Sequence, residues 1–222
     1  MKIIDVPQTG KIGLQVAFQS RYGLCRRQWT VPTNPNTLAQ QTIRSNLAAQ
    51  AQAYDALTEA QQNAWIAAAA LEQTKGSLGQ SGPMTGLQLF TKINCSLLAI
   101  GGDVVTAPPA KPTIAILPIS SLDITNTAGT IALNLDTTSS PPDGTMLWGA
   151  PPVASGVRRT PGVVFLGVLG SPVSNKINIT TAYTARFGVP AVGQRVFVQC
   201  NANIDGWEGQ RYSFSKLVPA SA

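Results

Sequence analysis

RYGLCRRQWTVPTNPNTLAQ, residues 21–40, is the stretch whose reading decides the fold. Its first half alternates: Cys25, Arg27, Trp29 and Val31 fall on one side, and Arg26, Gln28 and Thr30 on the other, the period of a strand. Pro32 ends that alternation, and Pro35 holds Asn34 out of the helical region. Thr37-x-x-Gln40 then reads as a capping box, in which the Thr hydroxyl accepts from the third helical amide and the Gln side chain reaches back. Strand gives way to helix within twenty residues, which sets an α+β class.

Upstream, KIGLQVAFQ (11–19) places Ile12, Leu14, Val16 and Phe18 on one face of an expected strand. SRYG offers a turn in which Gly23 is free to take positive φ. Residues 11–19 and 24–31 therefore predict a β-hairpin, which is barely stable alone in water and calls for a surface to pack on. Downstream, Thr58-x-x-Gln61 and Thr85-x-x-Gln88 repeat the capping signal. Helices are expected at about 38–56, 59–73 and 86–100, burying Ile43, Leu47, Ala51, Tyr54 and Leu57 from the first. The second should bury Trp65, Ala68, Ala69 and Leu71, and the third Leu87, Phe90, Ile93, Asn94 and Leu97, with Trp65 and Phe90 as anchors.

VVTAPPAKP (104–112) reads as an extended proline-rich linker. Beyond it the pattern is all β, with strands predicted at 113–117, 121–125, 129–135, 144–149, 163–169, 174–180, 194–202 and 209–217. Asp205-Gly206 marks the turn of the last hairpin, and AYTARFG (182–188) a helical turn with Tyr183 and Phe187 on one side. The expected organisation is an arm and hairpin (1–36), a three-helix domain (37–103), the linker, and an antiparallel sandwich of immunoglobulin or fibronectin III kind (113–222).

The chain has 222 residues, of which 44% are hydrophobic and only 12% charged, so Ser, Thr, Asn and Gln must cover much of its surface. The net charge of +6 divides evenly between halves, eight Lys/Arg against five Asp/Glu in each of 1–107 and 108–222. Cys25, Cys95 and Cys200 have no metal spacing and imply no disulfide framework. MKIIDVPQTG lacks the apolar run of a classical signal peptide, and no apolar run is long enough for a membrane span. There is no histidine, which removes Ser-His and Cys-His nucleophilic pairs. The acids are scattered and no phosphate-binding glycine loop occurs, so neither an enzyme nor a cofactor is expected.

RYGLCRRQWTVPTNPNTLAQQ, LTEAQQNAWIAAA and MTGLQLFTKIN together resemble a family of uncharacterised bacterial and phage-associated proteins. Members share a basic strand, an NP-x-T-x-x-Q helix start, an L-T-x-x-Q-x-x-x-W helix and a TG-x-x-L-F segment. YTARFGVPAVGQRVFVQ is similar to the companion sandwich of the same group. The resemblance implies a structural component of a virion, tail or surface assembly, with no catalytic residues to carry over.

Three functions are weighed. The leading expectation is a self-assembling structural subunit, located in a virion or extracellular assembly, with itself and other assembly proteins as partners. Its interface would be the hairpin, through Phe18, Arg21, Tyr22, Arg26, Arg27 and Trp29. The alternative is nucleic-acid binding through Arg21, Arg26, Arg27 and Arg44. A receptor- or carbohydrate-binding role would use loops 136–144 and 150–162.

Overall fold

The computed structural model describes residues 9–20, 23–31, 33–74 and 82–221. It is an α+β protein with four helices and several antiparallel sheets. The chain divides into two compact units, residues 1–44 and 45–222. That division falls within the expected three-helix domain (37–103), and residues 45–222 hold helices and the later sheets in one unit.

The first unit is a three-stranded antiparallel sheet, β1 (Gly10–Ile12), β2 (Gln15–Ser20) and β3 (Gly23–Gln28), in the order β1-β2-β3. The expected single strand at 11–19 is thus corrected: it breaks at Gly13-Leu14. Ile12 pairs with Gln15 across a two-residue turn, and Gly13 takes φ +59, as the first position of a type II′ turn requires. Arg21 and Tyr22 lie outside the described residues. Past the sheet, Thr37 and Gln40 exchange the two bonds of the capping box, amide to side chain in each direction. They open α1 (Leu38–Asp55), which starts in the first unit and ends in the second.

In the second unit, α2 (Glu59–Ala69) and α3 (Gly86–Ala99) both start from complete capping boxes at Thr58 and Thr85. Trp65, Leu89, Phe90 and Ile93 are fully buried between them. The ring of Phe90 meets Trp65 edge-on at 5.2 Å and Tyr54 at 5.4 Å. The expected apolar stripe of α1 is buried only near its C-terminal end, where Tyr54 and Leu57 pack on this cluster; Ile43 and Leu47 are exposed. Leu71 and Leu87 are also exposed, and Leu89 takes the place predicted for Leu87. A helix of α3's length has room for one core stripe, and Gly86 at its first turn fixes which stripe faces inward. A Cβ there would lie 2.6 Å from Tyr54 Oη and 2.9 Å from Ile66 Cγ1.

Residues 104–112 are not a free linker. Asn94 donates to the Val105 carbonyl and accepts from the Val105 amide, and Trp65 Nε1 donates to Thr106 O at 2.8 Å. Trp207 Nε1 donates to Pro109 O, and Lys111 pairs with Glu72. Among the described residues, 113–117 join no sheet; prolines at 112 and 118 bracket them and withhold two ladder donors. Ile114 instead packs against both apolar clusters of the unit.

Seven strands build two facing sheets. One has the order β4-β5-β8: β4 (Ile119–Thr127), β5 (Thr130–Thr137) and β8 (Lys176–Asn178). The other has the order β12-β9-β6-β7: β6 (Met146–Gly149), β7 (Val164–Val168), β9 (Arg195–Asn201) and β12 (Tyr212–Leu217). Leu122, Ile124, Leu133 and Leu135 of the first share one buried cluster with Leu147, Val196, Val198 and Cys200 of the second. α4 (Thr180–Phe187) closes one side, and its Tyr183 hydroxyl donates to Ala150 O at 2.8 Å. Between β9 and β12 the chain forms a short ribbon, β10 (Asn203–Ile204) and β11 (Trp207–Glu208), turning at Asp205 (φ +51) and Gly206 (φ +83). This ribbon carries Trp207 into the helical cluster, so the helices do not complete a core by themselves.

Candidate interaction surface

The pairing of the first unit sorts its side chains into two faces. Lys11 stands opposite Val16 and Val16 opposite Arg27, while Phe18 stands opposite Cys25. Side chains alternate along a strand, so Lys11, Val16, Phe18, Cys25 and Arg27 share one face, and Trp29, next in that alternation, follows them. Trp29 continues the ladder, its amide donating to Leu14 O at 2.7 Å. The other face carries Ile12, Gln15, Ala17 and Arg26, which line a shallow pocket of ≈ 70 Å³.

On the first face both cations lie against aromatic rings. The Lys11 ammonium is 3.5 Å from the Trp29 ring centre, and the Arg27 guanidinium carbon 5.6 Å from that of Phe18. Among the described residues neither cation is paired with a carboxylate. The rings remain open: Phe18 is 38% exposed and Trp29 37%. Among the described residues of this unit only Ala17 is buried.

The residues singled out in the sequence are therefore divided. Phe18, Arg27 and Trp29 come together; Arg26 points from the opposite face; Arg21 and Tyr22 lie outside the described residues. Arg44, on α1, donates to the side chains of Asn34 and Asn36, which ties the proline turn to the helix it precedes. Lys11 was missed. An unbroken strand would have put it on the face away from Phe18, and the turn at Gly13 reverses that. Its signal was Gly13 itself, two residues past a lysine in an otherwise alternating run.

Charge sharpens the picture. No Asp or Glu occurs between Asp5 and Asp55, a span holding Lys11, Arg21, Arg26, Arg27 and Arg44. Residues 1–44 carry six Lys/Arg against one Asp, and residues 45–222 carry ten against nine. Nearly all of the net +6 thus belongs to the first unit, a concentration that halving the chain near residue 107 conceals.

Elsewhere the surface is more self-satisfied. The 150–162 loop folds across the outward face of the four-stranded sheet. Val153 and Arg195 exchange backbone bonds of 3.0 and 2.8 Å, Arg195 Nε donates to Ser155 O, and the Thr160 and Ser213 hydroxyls lie 3.0 Å apart. On the same face the Arg211 guanidinium covers the Trp148 ring at 4.0 Å, Phe165 meets that ring edge-on, and Trp148 Nε1 donates to Asn201. An open depression of ≈ 400 Å³ near the end of α3 is lined by residues including Leu97, Ile100, Asp143, Gly144, Asn203 and Asp205. The described residues contain no group of three or more His, Cys, Asp or Glu able to hold a metal ion. Burial pushes the Cys200 thiol up to about 12 and raises that of Cys95, so neither is poised as a thiolate nucleophile. No helix among the described residues is long and apolar enough to cross a membrane.

Compared with protein-family models, with curated proteins and with solved structures, the chain matches none of them.

Proposed function

We propose that this protein is a non-enzymatic structural subunit of a self-assembling particle or filament, of the virion, tail or surface-appendage kind, and that its N-terminal sheet joins a neighbouring copy by strand addition. The observation that carries this reading is the three-stranded sheet itself, in which Ala17 is the one buried side chain among the described residues of its unit. Such a sheet gains little from burial within its own unit and presents a template for another strand. The resemblance of the Arg21–Gln41, helical and TG-x-x-L-F motifs to phage-associated structural proteins supports the same reading. So does the strand order of the two facing sheets, three strands against four, which fits a sandwich of immunoglobulin or fibronectin III kind.

The contact is assigned to Gln28, at the end of β3. Bonds along an antiparallel ladder alternate, and the Trp29 amide points to β2, so the Gln28 amide points away from it. Gln28→Pro therefore removes one edge donor and leaves the β2–β3 bonds in place. Sedimentation and electron microscopy of the purified chain should show concentration-dependent assemblies, and Gln28→Pro should shift them to smaller species. A chain that stays monomeric at high concentration would sink the reading.

A further inference from the structure

We infer that the sheet face carrying Lys11, Phe18, Arg27 and Trp29 is a binding site for single-stranded nucleic acid. This goes beyond the assembly reading, because a sheet's face and its edges point in perpendicular directions and can be occupied at once.

Charge complementarity names the class of partner. Residues 1–44 hold five of the six net positive charges, and no acid occurs between Asp5 and Asp55. A polyanion gains from such a unit by counterion release. Lys11 and Arg27 lie in one cross-strand row with Val16 between them, which sets them about 10 Å apart at two strand spacings. Stacked on rings rather than held by carboxylates, both keep their outward donors for phosphate oxygens.

The rings narrow the class further. Phe18 and Trp29 are more than a third exposed, on the same face as the cations. Exposed rings beside cations serve unstacked bases, whose flat faces a duplex keeps inside its own stack. An anionic membrane fits poorly. Lys11 lies 3.5 Å from the Trp29 ring centre, so the ring could not enter hydrocarbon without drawing the ammonium with it.

The face-selective pattern is the distinguishing feature. Arg26 and Arg27 are sequence neighbours on opposite faces, so a site built on one face should feel the loss of Arg27 more than that of Arg26. The test is fluorescence anisotropy of the full chain with a labelled oligothymidylate of about 16 nucleotides, the upper site size of one small β fold, in low salt. Binding should weaken linearly with the logarithm of salt concentration, and Lys11→Ala or Arg27→Ala should each lower that slope by about 1. Arg26→Ala should weaken binding less than Arg27→Ala. Trp29→Ala and Phe18→Ala should each lower affinity about tenfold with the slope unchanged, and Trp29→Phe should retain most of it. Retention by Trp29→Phe guards against loss of the fold, and Gln28→Pro should still bind, which separates this site from the assembly contact. Absence of binding in low salt would overturn the proposal. So would equal losses from Arg26→Ala and Arg27→Ala with none from the aromatic variants, or equally tight binding to duplex DNA, heparin or phosphatidylserine vesicles.

Discussion

Asp123, on β4, accepts from two ammonium groups, Lys176 Nζ at 2.8 Å and Lys216 Nζ at 2.7 Å. Lys176 belongs to its own sheet and Lys216 to the facing one, so a single carboxylate ties the two sheets at their rim. The bond from Lys176, then that from Lys216, holds the Asp123 carboxyl below the ordinary aspartate value of 3.8. A carboxylate whose folded value is depressed stabilises the fold above its unfolded value and loses that contribution as pH falls through the folded one. Asp123→Asn should therefore lower the melting temperature by a few degrees near pH 7, and the difference from the parent should close as the pH falls below the ordinary aspartate range. A difference that persists unchanged at pH 2 would refute the assignment. Asp123 was legible in the sequence only as one of ten scattered acids. Its partners stand 53 and 93 residues away, and no local pattern reports such a pairing.

At the scale of elements, the signals that proved readable were those that act within one turn of chain. All three capping boxes are present, and the Asp205-Gly206 turn sits where its dipeptide placed it. Readings that needed a partner surface fared worse. Ile43 and Leu47 have helical spacing yet stay exposed, and Leu89 displaces Leu87 because Gly86 sets the approach of α3. That glycine offers a direct check. Helix propensity alone favours alanine there by about 1 kcal/mol. The added methyl would nonetheless lie 2.6 Å from the Tyr54 hydroxyl and 3.1 Å from the Ile66 backbone nitrogen, and only the former can move away. Gly86→Ala should therefore destabilise by about 1–3 kcal/mol in urea unfolding, with Tyr54→Phe recovering only part of the loss. A neutral or stabilising result would mean that the helices separate at little cost.

Across the whole molecule, the proline-rich segment 104–112 is held by bonds that its own composition does not announce. Three buried side chains, Trp65, Asn94 and Trp207, hold its carbonyls. The helices and the two sheets should consequently melt together. Trp207→Ala should cost about 3–5 kcal/mol and lower the far-ultraviolet signals of helix and sheet in one shared transition. Two well-separated transitions would show that the helical cluster stands without the ribbon.

Trp207 also imposes an order on the chain's first folding. The helices it completes end at Ala99, about a hundred residues earlier in synthesis. At about 5–20 residues per second, the ribosome needs several seconds to make that interval. Throughout it Trp65, Phe90 and Ile93 lack one wall of their cluster, and the turn at Gly206 that presses against Ile93 does not yet exist. The nascent helices are thus exposed to solvent and to whatever else binds apolar surface until the β10–β11 ribbon emerges.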